Sequence, residues 1–118
     1  VLYSLTTEPG EYTAQRQDSF DTDGMVTGAD IDPSTGRIVL TGYTPLLARF
    51  LWVLYDYPVG MPLRGRRVRI SLAGPAQTES VAFVGSDRLF LGSERFSMLP
   101  ARIESLDLGV PSVGPREP

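Results

Sequence analysis

Two glutamates flank a predicted β-hairpin in the second half of the chain. Glu79 opens one alternating strand-like run and Glu94 closes the next, with a Gly-Ser-Asp turn at residues 85–87 between them. In an antiparallel hairpin the start of one strand lies beside the end of the other, so both carboxylates should reach the same end of the sheet. Such a pair can help to hold a hard cation such as Ca²⁺ or act as general acid and base. Glu79 and Glu94 are therefore the candidate metal ligands.

A simpler interpretation gives these acids no chemistry. Glu94 would be solvated or paired with Arg95, and Glu79 would accept hydrogen bonds from the backbone of a neighbouring loop. One pair of side chains also supplies fewer oxygens than the roughly six to eight that Ca²⁺ takes. The sequence leaves both interpretations open, with Ca²⁺ as the only cofactor it suggests.

The composition restricts the chemistry. The 118 residues contain no Cys, His or Lys, which excludes disulfides, thiol nucleophiles, imidazole bases, the usual zinc ligands and Schiff bases. The net charge of −3 argues against a nucleic-acid partner. The longest apolar stretch, residues 45–57, contains Arg49 and Asp56 and is too short to cross a bilayer, so we expect no membrane insertion.

The elements that would position the acids occur twice. A strand, a tight turn, a second strand, a longer loop and a third strand cover residues 26–54 and again residues 78–106. Arg37 matches Arg88 and Arg49 matches Arg102, an offset of 51 to 53 residues. In this alignment Thr27 takes the position of Glu79 and Tyr43 that of Glu94, which makes Thr27 and Tyr43 candidate ligand-binding residues. A repeat of this kind and period is typical of β-propeller blades.

We therefore predict an all-β fold made of about two four-stranded antiparallel blades of a partial β-propeller. Residues 1–20 would end a preceding blade, residues 24–72 would form blade one and residues 79–108 blade two, followed by a disordered tail at 109–118. At about 50 residues per blade a closed ring needs roughly 200 residues, so we expect a piece of a longer polypeptide or a processed product.

The third strands of the two copies differ. Residues 50–55 are apolar on both faces, whereas residues 103–108 mix polar residues into both. The second should be an exposed edge, which invites pairing with another chain. We expect self-association through exposed blade faces, for instance as three copies in a six-bladed ring, or dependence on the remainder of a parent chain.

Several segments resemble a known group of proteins. Residues 76–83 (AQTESVAF), 88–94 (RLFLGSE) and 99–103 (LPARI) are similar to the Q-x-E-G-I-A-F, L-Y-I-S-N-E and L-P-A-x-L pattern of secreted bacterial six-bladed β-propellers. Residues 26–33 (VTGADIDP) and 37–43 (RIVLTGY) resemble another blade of that group. The group includes Bacteroidetes-type surface proteins and, more distantly, phytase-like esterase and gluconolactonase-like propellers. The resemblance implies an extracytoplasmic location and, from the gluconolactonase-like members, a metal-ligand role for Glu79.

One basic run, residues 64–69, lies on the predicted outermost strand of blade one. Strand alternation puts Arg67 and Arg69 on one face, where they could bind a carboxylate or phosphate bidentately. The alternative is a solvated outer strand that resists edge pairing. No aromatic residue is interleaved with these arginines, which argues further against nucleic acid.

These observations favour a non-enzymatic, secreted or surface bacterial β-propeller module that binds a ligand or acts as a scaffold. The rival hypothesis is part of a metal-dependent phytase-like or lactonase/esterase-like hydrolase, in which Glu79 and Glu94 hold a metal that polarises an ester or phosphoryl oxygen.

Overall fold

The computed structural model describes residues 1–108, which form nine β-strands and one short 3-10 turn. The predicted tail at 109–118 lies outside the described residues. The elements are β1 Leu2–Ser4, β2 Gln15–Asp18, β3 Met25–Ile31, β4 Ile38–Tyr43, β5 Arg49–Tyr55, the 3-10 turn Pro62–Arg64, β6 Arg66–Leu72, β7 Gln77–Phe83, β8 Arg88–Glu94 and β9 Arg102–Asp107.

The strands form three antiparallel sheets in which neighbours in sequence are neighbours in space. They are the N-terminal hairpin (β1-β2), the four-stranded sheet (β3-β4-β5-β6) and the three-stranded sheet (β7-β8-β9). The predicted all-β fold is confirmed.

Turn chemistry sets the hairpins. Between β3 and β4 the Asp32 carboxylate accepts hydrogen bonds from the Ser34 amide at 3.1 Å and from the Thr35 hydroxyl at 2.7 Å. Gly36 completes this turn at φ +77°, a conformation that favours glycine. The bond from Thr35 is the main reason that the pKa of Asp32 lies below its ordinary value, with the Ser34 bonds adding to it against the effect of burial.

The two larger sheets share a register and an irregularity. Each first strand carries a β-bulge near its start, at Thr27 in β3 and at Glu79 in β7, so the predicted equivalence of these residues is correct. The predicted equivalence of Arg49 with Arg102 is wrong by one residue. Arg102 pairs with Ser93, the counterpart of Gly42, and Gly42 pairs with Phe50. A one-residue shift reverses the face, which is why Arg49 is buried and Arg102 is exposed.

The four-stranded and three-stranded sheets pack face to face around the main core. We call the side of the four-stranded sheet that carries Val39, Leu51 and Val53 its front face, and the opposite side, with Ile38, Leu40, Phe50, Trp52 and Leu54, its back face. The front face contacts Val81, Leu89 and Leu91 on the back face of the three-stranded sheet. On the far side Phe20 meets Trp52 edge to face at 5.2 Å between ring centroids. The strand β5 is therefore covered on both sides, as its sequence predicts.

The strand β9 is an edge of the three-stranded sheet, as predicted from its mixed polarity. Its side chains alternate between half-buried Glu104 and Leu106 and exposed Ile103 and Ser105. The exposed pair lies on the front face of the three-stranded sheet together with Ala82 and Phe90. Within residues 1–108 no strand packs against that face.

Candidate functional site

Tyr43 and Glu79 meet between the two large sheets. Tyr43 ends β4 and is buried, and its hydroxyl donates a hydrogen bond to Glu79 Oε1 at 3.1 Å. The bulge leaves Glu79 without a partner across the strand pair, between Thr78 opposite Ser93 and Ser80 opposite Gly92. The irregularity that the two sheets share thus frees this carboxylate to contact the neighbouring sheet.

This environment favours the neutral form of Tyr43. Burial is the largest cause that raises the pKa of Tyr43, followed by its hydrogen bond to Glu79 and by the negative charges of Glu79 and Glu94. The phenol is therefore a donor that holds Glu79 in place, and it is poorly suited to act as a base near neutral pH.

Glu79 and Glu94 lie at one end of the three-stranded sheet, as the hairpin geometry predicts. Glu94 is paired with Gln77 in the sheet, and its side chain is exposed. Both acids line one open depression of about 540 Å³, which also includes Ser93, Arg102 and Ile103. The depression is shallow and mixes both signs of charge, so it resembles a surface for a polar partner more than a closed catalytic pocket.

The oxygen donors near this pair are few. Within residues 1–108 no group of three or more Asp, Glu, His or Cys side chains is arranged to hold a metal ion. A Ca²⁺ ion would take roughly six to eight oxygens, so most ligands would have to come from backbone, water or another part of the protein. Tyr43 also uses one Glu79 oxygen.

Thr27, predicted as a ligand-binding residue, lies between the sheets. Its hydroxyl donates to the Thr78 carbonyl and is 3.4 Å from the Thr41 carbonyl. Its hydrogen bond therefore joins β3 to β7. Unlike its counterpart Glu79, Thr27 does not line the open depression.

Arg67 and Arg69 share the back face of the four-stranded sheet, as strand alternation predicts, and they lie away from the glutamate pair. The Arg67 guanidinium lies 4.4 Å from the centre of the Phe20 ring, and that of Arg69 lies 5.1 Å from the centre of the Phe50 ring. The Arg67–Phe20 contact helps to attach the segment after the N-terminal hairpin to the sheet, whereas the Arg69–Phe50 contact joins two strands within the sheet. They give both arginines a structural use beside the predicted ligand role.

Arg49, which was not among the site residues predicted from the sequence, is the most heavily bonded charge in the described chain. Arg49 is buried, and it forms an ion pair with Glu104 of the three-stranded sheet. Its Nε donates to the Gly74 carbonyl at 3.0 Å, and Nη2 donates to the Ala73 carbonyl. A signal was present, because Arg49 alternates with Leu51 and Val53 and so belongs to the inward-facing set. Arg49 joins the two sheets and the segment that connects them.

Comparison with known protein families, curated proteins and solved structures found no match to this chain.

Among residues 1–108 no helix has the length and apolar character needed to span a membrane.

Proposed function

We propose that this chain is a non-enzymatic module of stacked β-sheets, built as blades of a β-propeller, that acts as a scaffold by binding a further sheet. The main support is a difference in side-chain exposure between equivalent positions of the two sheets. Val39 and Leu51 on the front face of the four-stranded sheet are 0% exposed, whereas their counterparts Phe90 and Ile103 in the three-stranded sheet are 45% and 78% exposed. The front face of the three-stranded sheet therefore carries apolar residues at the positions that form the inter-sheet contact in the four-stranded sheet. Within residues 1–108 no element packs against it.

The chemistry of this face suits a protein partner. Phe90 lies between Ala82 and Ser105 on this side of the sheet, and Ile103 is next to Ser105 on the same face. The apolar patch of Ala82, Phe90 and Ile103 is bordered by the exposed ion pair of Arg88 and Asp107. Apolar side chains concentrated on one sheet face favour burial against another apolar layer. Within residues 1–108 no further strand pairs with the outer side of β9, and the backbone groups of such a sheet edge can extend the contact through hydrogen bonds.

The glutamate pair supports binding more than catalysis. Glu79 is held by Tyr43, while Glu94 is exposed at the rim of the open depression. The sequence has no His, Cys or Lys, so no imidazole base, thiolate or lysine amine lies beside it. The resemblance to secreted bacterial propellers supports an extracytoplasmic scaffold.

Sedimentation velocity of the chain over a range of concentrations tests this function. We expect association that Ile103→Asp reduces strongly, because a carboxylate on the face would have to be desolvated. Met98→Asp is the matched control, since Met98 is exposed but lies outside the face. A monodisperse, cooperatively melting monomer at every concentration would overturn the proposal.

The second candidate is a metal-dependent hydrolase, which the shared depression of Glu79 and Glu94 favours. Thermal melts with and without Ca²⁺ test it, because a cation bound only by the folded state raises stability, by about 2.7 kcal/mol at one hundred times its Kd. Glu79→Gln and Glu94→Gln should then remove the shift, and Glu11→Gln, at an exposed position, should keep it. No shift, or a shift that both glutamate variants retain, would exclude this site.

A further inference from the structure

The two large sheets stack in a head-to-tail manner. The front face of the four-stranded sheet packs on the back face of the three-stranded sheet, so the contact joins two different faces of the same repeated unit. A contact between unlike faces leaves one of each kind uncovered at the two ends of a stack. Within the described part of the chain, residues 1–108, the uncovered front face carries Phe90 and Ile103.

The back face of the four-stranded sheet offers the matching surface. In the shared strand register, Ile38 corresponds to Leu89 and Leu40 to Leu91. Leu89 and Leu91 are the residues on which the front face of the four-stranded sheet already packs. Leu54 likewise corresponds to Leu106.

An apolar cavity of about 180 Å³ opens at these residues. It lies between the sheet and the N-terminal hairpin, and its lining includes Leu2, Phe20, Val26, Ile38, Leu40 and Leu54.

We propose that a second copy of the chain occupies this cavity, with Phe90 of one copy inserted among Ile38, Leu40 and Leu54 of the next. The inference rests on the proposed scaffold function and names its partner. It extends the inter-sheet contact of the fold from one copy to another. An apolar cavity of about 150 Å³ accommodates benzene, so the observed volume suits a phenylalanine ring.

The segment after the N-terminal hairpin orients the contact. Phe20 covers Trp52 on the outer part of the back face, whereas Val26, on the first strand, lines the cavity and is 41% exposed. The incoming sheet therefore docks on the β3 and β4 side. Because the contact is heterologous, it produces a closed ring or an open filament and not a symmetric face-to-face dimer.

Mixing two variants tests the proposal. Phe90→Asp removes the inserted ring from the front face, and Val26→Asp places a charge at the cavity rim; both positions are partly exposed, so neither variant buries a charge in the core. Each variant alone should lose most of the association seen with the unmodified chain. Their mixture should give a one-to-one dimer of twice the monomer mass, because each variant retains one functional face.

Ile103→Asp mixed with Val26→Asp is the second pair and should behave in the same way, and thermal melts establish that each variant folds. If Phe90→Asp and Ile103→Asp abolish association but no mixture restores a dimer, the front face binds the front face of a second copy or a surface other than the cavity. That result overturns the cavity proposal and leaves the scaffold function intact. If the unmodified chain is monomeric throughout, both proposals are wrong.

Discussion

The four-stranded and three-stranded sheets are built on one plan and differ in what covers them. Strand order, register and the bulges at Thr27 and Glu79 correspond. The four-stranded sheet has a front face buried by the other sheet and a back face partly covered by the segment around Phe20. Among residues 1–108, the three-stranded sheet has a covered back face and an open front face. Equivalent positions therefore carry buried Leu51 in one sheet and exposed Ile103 in the other, which indicates that the surroundings set the role of each residue.

Among the variants that compare the two sheets, replacement of Arg49 should lower the free energy of unfolding most. Arg49→Met leaves the Glu104 carboxylate and two backbone carbonyls without their donor. Loss of one partner of a buried ion pair costs about 3–5 kcal/mol, and the loss should lie at the lower end of that range because Glu104 is half-buried. Denaturant unfolding measures the loss. The control Arg102→Met should cost less than about 1 kcal/mol, because Arg102 is exposed and lies 3.8 Å from Glu104. Equal losses for the two variants would contradict the corrected register.

Shortening the side chains at the equivalent positions 51 and 103 should change the free energy of unfolding by clearly different amounts. Leu51→Ala creates a cavity in a fully buried site and should lower the free energy of unfolding by about 2–5 kcal/mol. Ile103→Ala on the open face should change it by only about 0.5 kcal/mol at a dilution where the chain is monomeric. A large loss for Ile103→Ala at that dilution would show that the open face is covered within one chain.

Removing the Tyr43 hydroxyl should have the smallest effect on stability. Tyr43→Phe should lower the free energy of unfolding by about 1 kcal/mol at neutral pH, because it deletes one hydrogen bond to Glu79. The pKa of folded Tyr43 is raised above its ordinary value of 10.0, so the folded state holds this proton more tightly than the unfolded state. The corresponding stability is complete below pH 10 and falls as pH rises through the folded pKa. Urea midpoints measured on both sides of pH 10 should fall less for Tyr43→Phe than for the unmodified chain. Identical slopes would contradict the assigned environment of Tyr43.

Local patterns explain why much of the architecture could be predicted. Alternation, turn residues and the internal repeat identify the strands and the equivalence of Thr27 with Glu79, since these features depend on near neighbours in sequence. The β-bulge at each of these two positions was not predicted. The inter-sheet contacts of Tyr43 and Arg49 join residues 36 and 55 positions apart, and no local pattern specifies them. The one-residue error at Arg102 has the same origin, because loops of different length precede β5 and β9. The candidate metal role of Glu79 rested on a pair of acids, whereas the structure adds the Tyr43 hydroxyl that binds one of them.

Cysteine labelling tests the central claim, that the front face of the three-stranded sheet is a binding surface. The chain contains no Cys, so Ile103→Cys and Met98→Cys each introduce a single reactive thiol at an exposed position. The maleimide labelling rate of each variant is measured at low and at high protein concentration. We expect the rate at position 103 to fall several-fold with increasing concentration while the rate at position 98 stays constant. Equal, concentration-independent rates at both positions would contradict it.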